Sequence, residues 1–84
     1  MDLKEQFDAS IEKAKGLPNQ SNETLLELYS LYKQGTVGDV ESDRPSGFDF
    51  RGAAKYDSWE KRRGMSTDEA KQAYIDLVDR LAAG

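Results

Sequence analysis

Tyr29, Tyr32 and Lys33 fall at i, i+3 and i+4, so a helix through them carries all three on one face. Gly35 and Gly38, residue types that end helices, follow at once, and then a polar loop with Asp39, Arg44 and Pro45. Aromatic rings beside a cation at a helix end suit a flat base attached to a phosphate. The ring faces stack, the hydroxyls donate, and the ammonium neutralises charge. The same spacing also serves half-buried packing tyrosines with wet hydroxyls, so the motif by itself leaves both readings open.

Other cations are unevenly placed. Lys15 closes the first helical segment and Lys33 the second, while Arg51 and Lys55 lie one turn apart on the third. Lys55 adjoins Tyr56 and approaches Trp59, so aromatic and cationic groups coincide again. Each lysine alone reads as ordinary surface charge. A site requires that Lys15, Lys33, Arg51 and Lys55 converge, which spacing alone does not show.

Metal and catalytic chemistry find little support. Asp39, Glu41 and Asp43 resemble the opening of a calcium loop. That loop needs Gly at its sixth position and Glu at its twelfth, where this chain has Arg44 and Phe50. Glu12, Glu23, Glu27, Asp76 and Asp79 read as solvated helix faces. Histidine and cysteine do not occur, so the usual general base and the strongest nucleophile are both missing. The expectation is a binding protein rather than an enzyme, with no metal and no cofactor.

At 84 residues the chain suits one small domain with a modest core, to which a bound ligand adds appreciable stability. Twelve basic and sixteen acidic residues leave a formal charge of −4. That balance disfavours nucleic acid and anionic membrane as partners but leaves room for a small anionic ligand over a local basic patch. The polar N-terminus does not resemble a signal peptide, and no apolar run approaches the length of a membrane span. A cytoplasmic monomer without stable membrane anchoring is expected.

Four helical segments position these residues, at about 2–15, 21–35, 49–63 and 66–82. The first carries Leu3, Phe7, Ile11 and Ala14 as an apolar stripe, with Asp2 and Glu5 at its start and Gly16 as a left-handed stop. The second begins near Ser21, carries Leu25, Leu28, Tyr29 and Tyr32 on one side, and ends near Gly35. The third holds Lys61, Arg62 and Arg63 in its last turn, and Gly52 weakens its first turns. Ser66 and Glu69 form a capping box for the fourth, whose buried face runs through Ala70, Ala73, Tyr74, Leu77, Val78 and Leu81. Residues 36–48 are the long connection, with Val37, Val40 and Phe48 as apolar anchors of a packed loop. The fold expected is all-α, a single-domain four-helix bundle in which the long loop frees one connection from joining antiparallel neighbours.

The run YSLYKQGTVGDVESDRP and the later FDFRGAAKYDSWEKRRGMSTDEAKQAYIDLV resemble the acyl-CoA-binding protein family. The hallmarks are Tyr-x-x-Tyr-Lys-Gln-x-Thr-x-Gly-Asp, an Arg-Pro shortly after, a Lys-aromatic-x-x-Trp segment and an Ala-Tyr-Ile in the last helix. All occur in order, and the likeness extends from about Leu3 to Leu81. The resemblance implies a bundle that holds long-chain acyl-CoA esters as a carrier and buffer, with acyl-CoA-using enzymes as recipients.

By that resemblance Tyr32 stacks on the adenine, while Tyr29 and Lys33 face the ribose 3′-phosphate. Lys55 contacts phosphate with Tyr74 as its partner, Lys15 and Arg51 flank the head group, and Leu25 and Leu26 line the acyl groove. Departures from the family pattern are Tyr56 for a usual Trp, Ala53 for a common Lys, Gly35 for Ala, and Ile11 for a smaller residue. They imply a less basic and less aromatic head-group site, and Ile11 a narrower path. An alternative is a helical protein-interaction module that keeps the fold and binds acyl-CoA weakly. A thioesterase is disfavoured by the missing His and Cys.

Overall fold

Each helix begins on a side-chain oxygen. In a computed structural model describing residues 1–84, α1 spans Leu3–Lys15, α2 Asn22–Thr36, α3 Phe50–Glu60 and α4 Thr67–Ala83. Asp2 accepts from the Glu5 amide, Ser21 from Thr24, Asp49 from Gly52 and Ser66 from Glu69. Each bond satisfies an amide that the first helical turn leaves unpaired. At α4 the box is complete, because Glu69 Oε1 accepts from the Ser66 amide in return.

The helix ends differ from their sequence-based expectation in three places. Gly16 has φ −94° rather than a left-handed value, and α1 closes through tight bonds from Gly16 N to Lys13 O and Leu17 N to Ala14 O. In α2, Gly35 is an interior residue, buried where a Cβ would stand 3.3 Å from Lys71 Cγ and 3.5 Å from Phe7 Cζ. The reversal comes at Gly38, φ +94°, whose amide donates to Lys33 O. In α3, Lys61, Arg62 and Arg63 do not form a last turn, because the helix stops at Glu60. Arg62 Nε is drawn to Ser30 Oγ (3.0 Å), and Arg63 reaches the Val40 carbonyl (2.9 Å) while gripping Glu60. Gly52, expected to weaken α3, leaves space for the Asp49 cap, which any Cβ there would strike.

Side-chain contacts set the helix directions. Phe7 meets Tyr74 and Lys13 meets Asp79, so α1 and α4 run parallel. Gln34 meets Met65 and Tyr32 meets Tyr74, so α2 opposes α4. Tyr29 pairs with Lys55 and Lys33 with Trp59, so α3 runs parallel to α2. The long connection between α2 and α3 supplies the return path that this parallel pair needs. α4 packs on α1 and α2, whereas α3 packs on α2 alone.

The core gathers Phe7, Leu31, Tyr74, Ile75, Leu77 and Val78, with Leu28, Ile11 and Met65 at its margin. It is thin: 13 of 84 residues are buried, so a ligand covering more apolar surface adds materially to stability. Of the three apolar anchors expected in the loop only Val40 is buried; Val37 and Phe48 are exposed. Buried Gln34 ties the loop down instead. Its Nε2 donates to Asp39 Oδ1 (2.7 Å) and to the Met65 carbonyl (2.8 Å), and Asp39 also accepts from the Gly64 amide (2.9 Å). Those bonds hold the carboxyl of Asp39 below its ordinary range, first through Gly64 and then through Gln34.

Candidate functional site

Tyr32 is the exposed end of a three-ring cluster contributed by three helices. Its ring stacks at 25° on Phe7 with centroids 6.2 Å apart, and lies 6.5 Å from Tyr74 at 56°. Phe7 meets Tyr74 edge to face at 5.2 Å, so one buried ring of α1 supports both tyrosines. Tyr32 keeps 39% of its surface in solvent and Tyr74 6%. Burial, and secondarily the Tyr32 hydroxyl, push the Tyr74 phenol up and keep it neutral. The cluster thus offers an open aromatic face with a neutral hydroxyl-bearing ring beside it. Phe7, read from sequence only as core, is the residue that positions this pair.

A second seam joins α2 to α3. Lys55 Nζ lies 5.2 Å from the centroid of the Tyr29 ring, and Lys33 Nζ lies 5.0 Å from that of Trp59. Trp59 is held in turn by its Nε1, which donates to the Gly38 carbonyl at 2.8 Å. Each rung pairs a cation with an aromatic face, which holds the ammonium without neutralising it. Neither lysine, nor Arg51, forms an ion pair, although acidic residues outnumber basic ones in the chain.

At the other end of the α2–α3 interface lies an open groove of about 480 Å³. Leu25, Leu26, Phe50 and Ala54 are its apolar wall, and Arg51 and Lys55 are its charged one. Leu25, half exposed, also borders a smaller depression with Ala14, Leu17 and Leu28 near the end of α1. An apolar channel edged by unpaired cations accommodates an amphiphile with an anionic head.

Eight of the nine expected site residues therefore fall into three places: Tyr32 and Tyr74 in the ring cluster, Tyr29 and Lys33 in the α2–α3 seam, and Leu25, Leu26, Arg51 and Lys55 around the groove, with the Lys55–Tyr29 contact joining seam to groove. Lys15 lies apart, its ammonium paired with Glu12 at 3.1 Å, and only its neighbours Ala14 and Leu17 border a groove. Ile11 packs against the core. Phe50 is a groove residue that helical periodicity did not reveal, because it opens α3 and no core-facing pattern includes it. The family departures fall elsewhere: Ala53 is buried, and neither Ala53 nor Tyr56 lines the groove.

The family model described as acyl CoA binding protein matches residues 4–78. The chain belongs to the acyl-CoA-binding protein family. An acyl-CoA-binding protein of Ricinus communis is 51% identical over 82 residues, covering 96% of this chain and 91% of the relative. Acyl-CoA-binding protein homolog 1 of Caenorhabditis elegans is 45% identical over 78 residues, covering 92% and 91%. The crystal structure of Oryza sativa acyl-CoA-binding protein 2 superposes with a TM-score of 0.95 at 44% identity, covering 98% of this chain and 92% of that one. The resemblance read from the Tyr29–Pro45 run, and the all-α acyl-CoA-binding fold it implied, are both borne out. No helix is long and apolar enough to cross a membrane.

Proposed function

We propose that the chain binds long-chain acyl-CoA esters and acts as their carrier and buffer, without catalysing a reaction on them. The observation that carries this is the α2–α3 groove, where Leu25, Leu26 and Phe50 face unpaired Arg51 and Lys55. Tyr32 takes the adenine face, with Tyr29, Lys33 and Tyr74 about the ribose phosphate. Lys55 and Arg51 take phosphate charge, Lys15 stays peripheral, and the leucines with Phe50 cover the acyl chain.

The energetics favour long chains. Each buried methylene contributes about 0.8 kcal/mol, so eight more methylenes contribute roughly 6 kcal/mol before ordering costs. Phosphate contacts add charge-assisted hydrogen bonds that free water does not match in a partly buried groove. The working form is an intracellular, cytoplasmic monomer that sequesters the ester and releases it to acyl-CoA-using enzymes. Calorimetric titration with palmitoyl-CoA tests the assignment: saturable one-to-one binding, much tighter than for free CoA, is expected. Equal affinity for the ester and for free CoA would remove the acyl groove from the account.

A further inference from the structure

Lys71 of α4 carries the same signature as the two lysines of the α2–α3 seam. Its Nζ stands 6.0 Å from the centroid of the Phe7 ring, and it pairs with no carboxylate, although Asp68 lies one turn earlier on the helix. Phe7 is the buried ring on which Tyr32 stacks and against which Tyr74 packs, so this ammonium is one ring removed from the open face of Tyr32. Its ring contact is at the outer limit of a useful cation–π attraction, and leaving it costs little. Gly35 makes the position available. A Cβ there would stand 3.3 Å from Lys71 Cγ and 3.4 Å from the Lys71 backbone nitrogen, so this departure from the family pattern gives the lysine stem its room against α2. Competing cations on this side are engaged or distant. Lys4, Lys13 and Lys15 of α1 all hold carboxylates, and Arg80 of α4 borders a separate depression with Asp76 and Leu77.

We propose that Lys71 is a specificity-determining residue of the head-group site, moving from Phe7 to the ribose phosphate of a nucleotide stacked on Tyr32. The inference rests on the acyl-CoA reading. It adds a cation from α4 where the resemblance supplied Lys15 from α1, whose ammonium is held by Glu12. Lys33 then reaches that phosphate from the α3 side of Tyr32, and Lys71 from the side of α1 and α4. The ammonium–phosphate contact is charge-assisted and stronger than the weak ring contact it replaces.

The test is calorimetric titration of the parent, Lys71→Met and Lys71→Arg with palmitoyl-CoA and with its 3′-dephospho analogue. Methionine keeps an unbranched apolar stem over Phe7 and removes the charge, whereas arginine keeps the charge. Lys71→Met is expected to weaken palmitoyl-CoA binding about tenfold and to leave the dephospho ester unaffected, so the preference for the phosphorylated ester shrinks by that factor. Lys71→Arg restores most of the loss, and the thermal midpoint of Lys71→Met stays at the parent's value. Parental affinity for palmitoyl-CoA in Lys71→Met overturns the proposal. An equal loss for both esters also overturns it, assigning Lys71 to packing on Phe7. A parent that does not bind palmitoyl-CoA removes the acyl-CoA reading and this inference together, whereas a parent that binds it and is matched by Lys71→Met removes this inference alone.

Discussion

Replacing Lys55 by alanine separates the groove from the general surface charge of the protein. Lys55 has no carboxylate partner, and its ammonium stands 5.2 Å from the Tyr29 ring centroid. In the free protein the substitution removes an exposed cation–π contact, a loss of about 0.5–1 kcal/mol in folding stability. In the complex it removes a charge-assisted bond to phosphate, about 1.5–3 kcal/mol, which raises Kd roughly 10- to 150-fold. Lys15→Ala is the internal control, because that ammonium is already paired with Glu12 and 68% exposed. A surface cation of this kind changes Kd by no more than about fivefold. Palmitoyl-CoA calorimetry on both variants, with urea unfolding alongside, reads the two quantities separately. Parental affinity in Lys55→Ala, or equal losses at Lys15 and Lys55, would refute the assignment of phosphate to the α2–α3 groove.

Further outcomes follow from other contacts. Tyr32→Ala, which deletes the open ring while leaving Phe7 and Tyr74 packed, weakens acyl-CoA binding by about 1–3 kcal/mol if that ring stacks on a base, and calorimetry measures it. Gly35→Ala removes the helix-interior glycine penalty of about 0.5–1 kcal/mol but sets a Cβ 3.3 Å from Lys71 Cγ and 3.4 Å from the Lys71 backbone nitrogen, so the thermal midpoint rises only where α4 yields by a few tenths of an ångström; a fall shows that α2 and α4 are locked at this contact. Gln34→Glu turns a donor into a buried carboxylate facing Asp39 and the Met65 carbonyl, and costs about 3–5 kcal/mol at neutral pH by denaturant titration. Asp39, Asp57 and Glu60 all have lowered folded pKa values, so their stabilisation is present above the unfolded carboxylate pKa and is lost as pH falls through the folded values. The thermal midpoint therefore drops below about pH 4, and Asp39→Asn flattens that limb; an unchanged acid limb would exclude Asp39 as a contributor.

Helix existence was legible because periodicity and caps agreed at Asp2, Ser21 and Ser66. The stop of α3 was not, because Lys61, Arg62 and Arg63 suit a helix C-terminus and are instead claimed by Ser30, Val40 and Glu60 across the fold. Such long-range claims have no local trace. The Tyr29–Asp39 run also proved to mix two tasks: Tyr29, Tyr32 and Lys33 carry the candidate site side chains, whereas Gln34 and Asp39 bind the loop to the turn before α4 and the Gly38 carbonyl accepts from Trp59 of α3. Spacing distinguishes faces of one helix but not the destination of a buried amide. Phe48 shows the converse, since an apolar residue in a loop was read as an anchor and stands in water.

That α3 packs on α2 alone has a dynamic consequence. Detaching it breaks one helix interface and the few bonds of its flanking turns, whereas releasing α1 or α4 dismantles the shared ring cluster and core. The amides of α3 thus belong to a cooperative unit that opens at lower free energy than the rest and exchanges hydrogen sooner. A ligand lying across Tyr32, Lys55 and Phe50 acts as a removable crossbeam between α3 and the body of the bundle. Occupancy would then be written chiefly in the exchange rates of α3, whose one helix partner is α2.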